Sequence, residues 1–189
     1  IILSSKNRYI AVDSSDVISG IFDATMRGFG FVCRDGEDDI FIPPDDTKGA
    51  MDGDTLLVRK AHPKSNEKRP EGKILKIITH AHETLVGTYH NQRNFGFVAV
   101  DDTKITDDIF ISKSHNANAK DGQKVVVKIT KWRDGDKKCE GEIIEILGNA
   151  YDSGIDVLCV LRKYGISQEF PQVVIDEARS LIPGITGDE

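Results

Sequence analysis

Phe29-Gly30-Phe31-Val32 recurs 66 residues later as Phe95-Gly96-Phe97-Val98, and Asp39-Ile40-Phe41-Ile42 recurs 69 residues later as Asp108-Ile109-Phe110-Ile111. The three extra residues fall in the loop between the two motifs. At the second offset the match continues through Asp52-Gly53 with Asp121-Gly122, then Thr55-Leu56-Leu57-Val58 with Lys124-Val125-Val126-Val127. It closes with Glu71-Gly72-Lys73-Ile74 against Glu140-Gly141-Glu142-Ile143. Five blocks in one order define two copies of one unit, residues 17–80 and 83–148. An N-terminal extension, 1–16, precedes them and a segment of different texture, 149–189, follows. A solenoid would need more and shorter repeats, whereas two units of about 65 residues are small domains that gain by packing on each other.

Within each unit, short β-prone runs alternate with Gly, Asp, Asn and Pro clusters, and no helical periodicity of useful length appears. The first unit predicts strands over Val17–Thr25, Gly28–Arg34, Ile40–Pro43, Thr55–Ala61 and Gly72–Ile78. The second predicts them over Thr84–His90, Asn94–Val100, Ile109–Ser112, Lys124–Trp132 and Gly141–Leu147. Five strands in so short a unit fit a small barrel of OB type, so the expected fold is mainly β, two tandem OB-fold barrels followed by short α-helices. After Gly148, Ser153-x-x-Asp156 reads as a capping signal for a short helix ending at Gly165. Phe170-Pro171 opens a second, with Val173, Val174, Ala178 and Leu181 on one face and Pro183-Gly184 as its stop. These helices are expected to pack on the second unit or on whatever the full protein carries next.

Alternation along a strand fixes faces. With Gly30, Val32, Ile40 and Ile42 inside the barrel, Phe29, Phe31 and Phe41 stand outside it; Phe95, Phe97 and Phe110 repeat the pattern. Three aromatics on a solvent face call for a cover, and unstacked bases supply one, at about 1–3 kcal/mol per stacked base. Burial of the rings between the barrels or under the helices is the competing expectation, weakened because both units carry the same arrangement.

Of the 189 residues, 39% are hydrophobic and 30% charged, too apolar a mix for disorder, while no apolar run approaches the ~18 residues of a membrane span. The sequence carries no signal directing it out of the cytoplasm. A net charge of -6 excludes a uniformly basic nucleic-acid coat. Charge is nevertheless uneven. Residues 59–76, with Arg59, Lys60, Lys64, Lys68, Arg69, Lys73 and Lys76, carry a net +5, and residues 120–138, with Lys124, Lys128, Lys131, Arg133 and Lys138, a net +4. Both occupy the same place in their units, so a polyanion can be steered to one side of an acidic chain.

Cys33, Cys139 and Cys159 form no CxxC and are expected as buried thiols. The acid runs at Asp35–Asp39, Asp101-Asp102 and Asp107-Asp108 lack EF-hand spacing and are expected as solvated turns. His80 and His82 fall between the units without a third ligand nearby and are expected as connector. Trp132, between Lys131 and Arg133, is placed at the barrel rim, packed there or available to a base.

Arg27-Gly28-Phe29-Gly30-Phe31-Val32 resembles the first RNA-binding motif of cold-shock domains, and Asp39-Ile40-Phe41-Ile42 the second. The tandem arrangement, the turn at Asp52–Asp54, the Gly-x-Ile ending of each unit and the Phe-Pro-x-x-Val-x-x-x-Ala pattern at Phe170–Ala178 are similar to the N-terminal half of the ribonuclease R family. The resemblance covers residues 7 to 182. It implies single-stranded RNA as partner, with Phe29, Phe31, Phe41, Phe95, Phe97 and Phe110 at stacking positions and Arg27 and Arg93 at the basic position before the first motif. The charge pattern adds Lys73, Lys128 and Lys131, and Trp132 completes the expected RNA-binding set. Pro43 and Ser112 stand where cold-shock proteins carry a stacking histidine, and Asn94 replaces the first glycine, which reduces the platform.

The family's hydrolytic centre is an aspartate cluster holding magnesium in a separate domain, implied to begin after about Gly184. The expectation is therefore an RNA-binding portion with no catalytic residue, no metal and no cofactor of its own, beginning at Ile1 as part of a longer chain and joined to its parent's catalytic domain. A stand-alone tandem OB-fold RNA chaperone and a protein-interaction module are the alternatives.

Overall fold

The computed structural model describes residues 2–3, 9–10, 16–34, 36–61, 70–133, 135, 137–166, 170 and 172–180. Two short strands, β1 (Ile2–Leu3) and β2 (Tyr9–Ile10), pair antiparallel ahead of the repeat. The first unit contains β3 (Val17–Ala24), β4 (Gly30–Cys33), β5 (Ile40–Ile42), β6 (Thr55–Lys60) and β7 (Gly72–Thr79) in the order β5-β4-β3-β6-β7. The second contains β8 (Thr84–Asn91), β9 (Phe95–Val100), β10 (Ile109–Ser112), β11 (Gln123–Lys131) and β12 (Glu140–Asn149), closed as β10-β12-β11-β8-β9. All ten strands expected from the repeat are present, and the two units share one topology.

They differ in closure. In the second unit β10 runs parallel to β12 through Phe110↔Glu140 and Ile111↔Gly141. In the first, the same contact is a single bridge, Phe41↔Glu71, so the sheet curls without a full closing ladder. The opening contact is common to both: Phe110 donates its N–H to the Cys139 carbonyl at 2.9 Å, and Phe41 to that of Pro70 at 3.0 Å. The next step of a parallel ladder takes an N–H from two residues further on. That residue is Ser112 in the second unit and Pro43 in the first, which has no N–H to give.

The glycines of the repeat are explained by close approach. Gly30 faces inward because the Phe22 ring lies across it, where a Cβ would sit 2.4 Å from the ring; Tyr89 lies across Gly96, where the distance would be 2.3 Å. Phe22, Val32, Ile40, Ile42, Leu56, Val58 and Ile74 form the first core, and Tyr89, Val98, Ile109, Ile111, Val125, Val127 and Cys139 are central to the second. Cys139 is the buried thiol the sequence suggests. Cys33 and Cys159 are only half-buried: Cys33 pairs with Ile21 on the outer face of its sheet, and Cys159 lies on a helix over the second barrel.

The units pack on each other. Met51, from the first, is 5% exposed and belongs to the core of the second. Trp132, from the second, packs on that core and stacks on His80 with ring centroids 3.4 Å apart and planes 5° from parallel. His80 shares a hydrogen bond with Asp54, which is fully buried and also accepts the N–H groups of Met51 and Ala81, each at 2.9 Å. Lys104 reaches back to Asp23 at 2.6 Å and Asp52 at 3.1 Å.

The first helix, α1 (Ile155–Lys163), lies against β8, β11 and β12. Its N-cap is Gly154, at φ 85°, rather than Ser153, and no side chain caps the helix. Asp152 instead closes the preceding turn by accepting the Asn149 N–H at 3.1 Å. At the other end Gly165 takes φ 66°; its N–H reaches the Arg162 carbonyl, and that of Ile166 reaches Leu161, a Schellman stop. Arg162 clamps Glu145 with two hydrogen bonds of 2.8 and 2.9 Å, and Lys163 pairs with Asp102 at 2.8 Å. The second helix, α2 (Gln172–Ser180), buries no side chain, leaving Val173 and Val174 exposed. Pro171, Leu181, Pro183 and Gly184, expected at its ends, lie outside the described residues. Among the described residues no helix is long and apolar enough to cross a membrane.

Candidate nucleic-acid interface

The aromatic faces are where alternation puts them. Gly30, Val32, Ile40 and Ile42 are buried, and Phe29, Phe31 and Phe41 are half-exposed on the outside, each touching the other two with ring centroids 5.5 to 5.9 Å apart. Register explains the grouping, since Phe31 pairs directly with Phe41 across β4 and β5. In the second unit Phe97 pairs with Phe110, while Phe95 lies beside Phe110 with centroids 5.5 Å apart and planes 27° from parallel. Phe95 is 42% exposed. The rings are only partly covered: the junction is made by Met51, His80, Trp132 and Lys104, and of these Lys104 reaches the edge of the first platform, at Asp23.

Arg27 and Arg93 are exposed in the turns joining β3 to β4 and β8 to β9. Each stands two residues before the first phenylalanine of its motif. Phe95, Phe97 and Phe110 line a concavity of 320 Å³ together with Gln92, Asp108 and Lys138. Lys138 entered from sequence only as one charge of the basic stretch 120–138, and Gln92 was not singled out there. Nor was His90, which pairs with Phe97 and lies 5.0 Å from its ring centroid. The signal was available, because Tyr89 belongs to the apolar side of β8 and its neighbour must face out.

The lysines expected to hold phosphate are less free than their charge suggests. Lys73 pairs with Asp46 at 2.5 Å and Lys131 with Glu140 at 2.7 Å, while Lys128 is exposed but stands opposite Glu142 in the ladder. Lys64, Lys68 and Arg69 lie outside the described residues. Trp132 is at the junction with one ring face covered by His80, apart from the aromatic platforms.

Among the described residues no three His, Cys, Asp or Glu side chains converge to hold a metal ion. The acid runs serve the fold: Asp102 accepts the Lys104 N–H at 3.0 Å and pairs with Lys163, and Asp107 pairs with Arg133. His80 and His82 join the units as the sequence suggests, with His80 engaged by Asp54 and Trp132. Burial pushes all three cysteine thiols above their ordinary value, away from the thiolate form.

Residues 20–77 match the Ribonuclease B OB domain family and residues 97–171 the Cold shock domain family. Ribonuclease R of Thermotoga maritima is 31% identical over 94% of this chain and 25% of its own length, and that of Escherichia coli 26% identical over 96% and 22%. The chain thus spans about a quarter of the curated relatives it matches. Among solved structures, the apo form of Mycoplasma genitalium RNase R superposes with a TM-score of 0.77 at 18% identity, over 88% of this chain and 27% of that one. The same enzyme in complex with ribose methylated single-stranded RNA gives 0.77 at 18% identity, over 89% and 27%. Yeast Ssd1, a pseudonuclease, gives 0.67 at 17% identity, over 84% and 26%. At these identities the structures establish the fold.

Proposed function

We propose that this chain, which belongs to the ribonuclease R family, is the RNA-binding portion of an RNase R-like 3′ to 5′ exoribonuclease, acting in the cytoplasm. Its two barrels hold single-stranded RNA without reading its sequence and guide it to a catalytic domain elsewhere in the parent chain. The observation that carries this is the repeated outward platform, Phe29, Phe31 and Phe41 in one barrel and Phe95, Phe97 and Phe110 in the other, with an exposed arginine at the edge of each.

Stacking on these rings uses the π-face common to every base, so it tolerates any sequence and suits a guide for passing RNA. Arg27 and Arg93 fix the backbone beside the platforms, and Lys128 and Lys138 add to the field that draws the polyanion in. Hydrolysis and its magnesium belong, in this role, to the parent's remainder. The same fold in a pseudonuclease supports separating grip from cleavage.

The test is a titration of fluorescent oligo(U) at several salt concentrations. Affinity falls as salt rises, since phosphate contacts release counterions. Phe29→Ala/Phe31→Ala and Phe95→Ala/Phe97→Ala each weaken binding at least about fivefold, a loss of about 1 kcal/mol or more. Unchanged affinity in both variants would overturn the stacking role.

A further inference from the structure

The two platforms are not equivalent, and the difference lies at one position in the ladder. Across the first barrel, paired residues run Asp23↔Phe31↔Phe41 over β3, β4 and β5. Across the second they run His90↔Phe97↔Phe110 over β8, β9 and β10. Directly paired residues on adjacent strands project to the same face, so the outer rows correspond place for place. Where the first barrel sets a carboxylate beside its central phenylalanine, the second sets an imidazole.

Ring orientation widens the difference. In the first barrel the three phenylalanines lean on one another with interplanar angles of 54°, 56° and 87°, so they share no common plane. In the second, His90 and Phe97 are 30° apart and Phe95 and Phe110 27° apart, so within each pair the ring planes lie closer to parallel than any pair in the first. The Asp23 carboxylate is held by Lys104 of the second unit. It brings negative charge to a face meant for phosphates, with one ammonium shared between Asp23 and Asp52 to offset it. The His90 side chain is 39% exposed and has Asp121 at 3.9 Å.

We infer that His90 is a fourth base-stacking ring of the second barrel, completing one row with Phe97 and Phe110, and that this barrel grips RNA more strongly than the first. The role rests on the RNA binding proposed above. It predicts a division of labour in which the second barrel holds the strand and the first, smaller and more acidic, guides it.

The test uses the full chain and oligo(U) at pH 7.5 and fixed low salt, with thermal unfolding to verify that each variant is folded. His90→Ala weakens binding about fivefold or more, the loss of one stacked base at about 1 kcal/mol. His90→Phe, which keeps a ring and removes the imidazole nitrogens, restores wild-type affinity. His90→Asp, which imports the residue of the first barrel, binds more weakly than His90→Ala. Phe95→Ala/Phe97→Ala costs more than Phe29→Ala/Phe31→Ala. Wild-type affinity in His90→Ala while Phe95→Ala/Phe97→Ala is impaired overturns the role of His90 and leaves the RNA platform standing. Wild-type affinity in all of these variants removes the platform itself. Failure of His90→Phe to recover affinity also overturns stacking, because a ring alone would then not suffice.

Discussion

The glycine between two phenylalanines does more for these barrels than permit a turn. Gly30 and Gly96 give their inward space to the rings of Phe22 and Tyr89, two large buried side chains at corresponding places. Tyr89 is also tied through its hydroxyl to Asn91 at 3.4 Å, so its ring has little freedom to retreat. Gly96→Ala therefore overpacks the second core, costing about 1–3 kcal/mol and lowering the unfolding midpoint by about 2–10 °C in calorimetry. An unchanged midpoint would show that the ring yields without strain. This also separates two roles within a single motif: the phenylalanines face outward while the glycine between them serves the core.

Among the elements, α1 shows how a helix without a capping side chain is held. Its apolar anchor is Ile155, and two ion pairs from its last turn, Arg162 to Glu145 and Lys163 to Asp102, fix it to the second barrel. The Arg162 hydrogen bond holds the Glu145 carboxyl below its ordinary value. Burial pushes Asp102 up, but hydrogen bonds from Lys163 and the Lys104 N–H outweigh it and leave that carboxyl lowered as well. A carboxylate with a lowered folded pKa contributes stability that is full above its unfolded pKa, about 4, and disappears as pH falls through the folded value. Acidification from pH 5 toward pH 2 should release α1 ahead of the barrel strands, read as loss of amide-exchange protection in residues 155–163 relative to β11. Equal protection of helix and strand throughout would show that Ile155 packing alone holds the helix. The two strands that meet at the barrel seams follow the same logic of local chemistry, Pro43 stopping in one unit the ladder that Ser112 continues in the other.

At the scale of the whole molecule the barrels form one folded body because each lends residues to the other. Met51 completes the core of the second, and the single tryptophan of the chain, Trp132, lies face to face with His80 at the seam. Trp132 emission is thus a direct reporter of the junction. In urea, emission and far-UV circular dichroism should change together for the wild type. Met51→Ala, which opens a cavity at a cost of about 2–5 kcal/mol, should bring the emission transition to lower urea than the dichroism transition. Coincident transitions in that variant would mean that Met51 does not couple the units.

The repeat, the strand positions, the inward and outward faces and the aromatic platforms were legible in the amino-acid sequence, because all follow from short-range periodicity and from comparing one unit with its copy. His90 was within reach of the same alternation. Not legible were the incomplete closure of the first barrel, the pairing of Lys73 and Lys131 with acids, and the position of Trp132 on His80 rather than on a platform. Nor was the way Lys104 neutralises two carboxylates of the other unit. These depend on residues far apart in the chain meeting at a seam. Periodicity decides which way a side chain points; only the packed structure decides what it meets there.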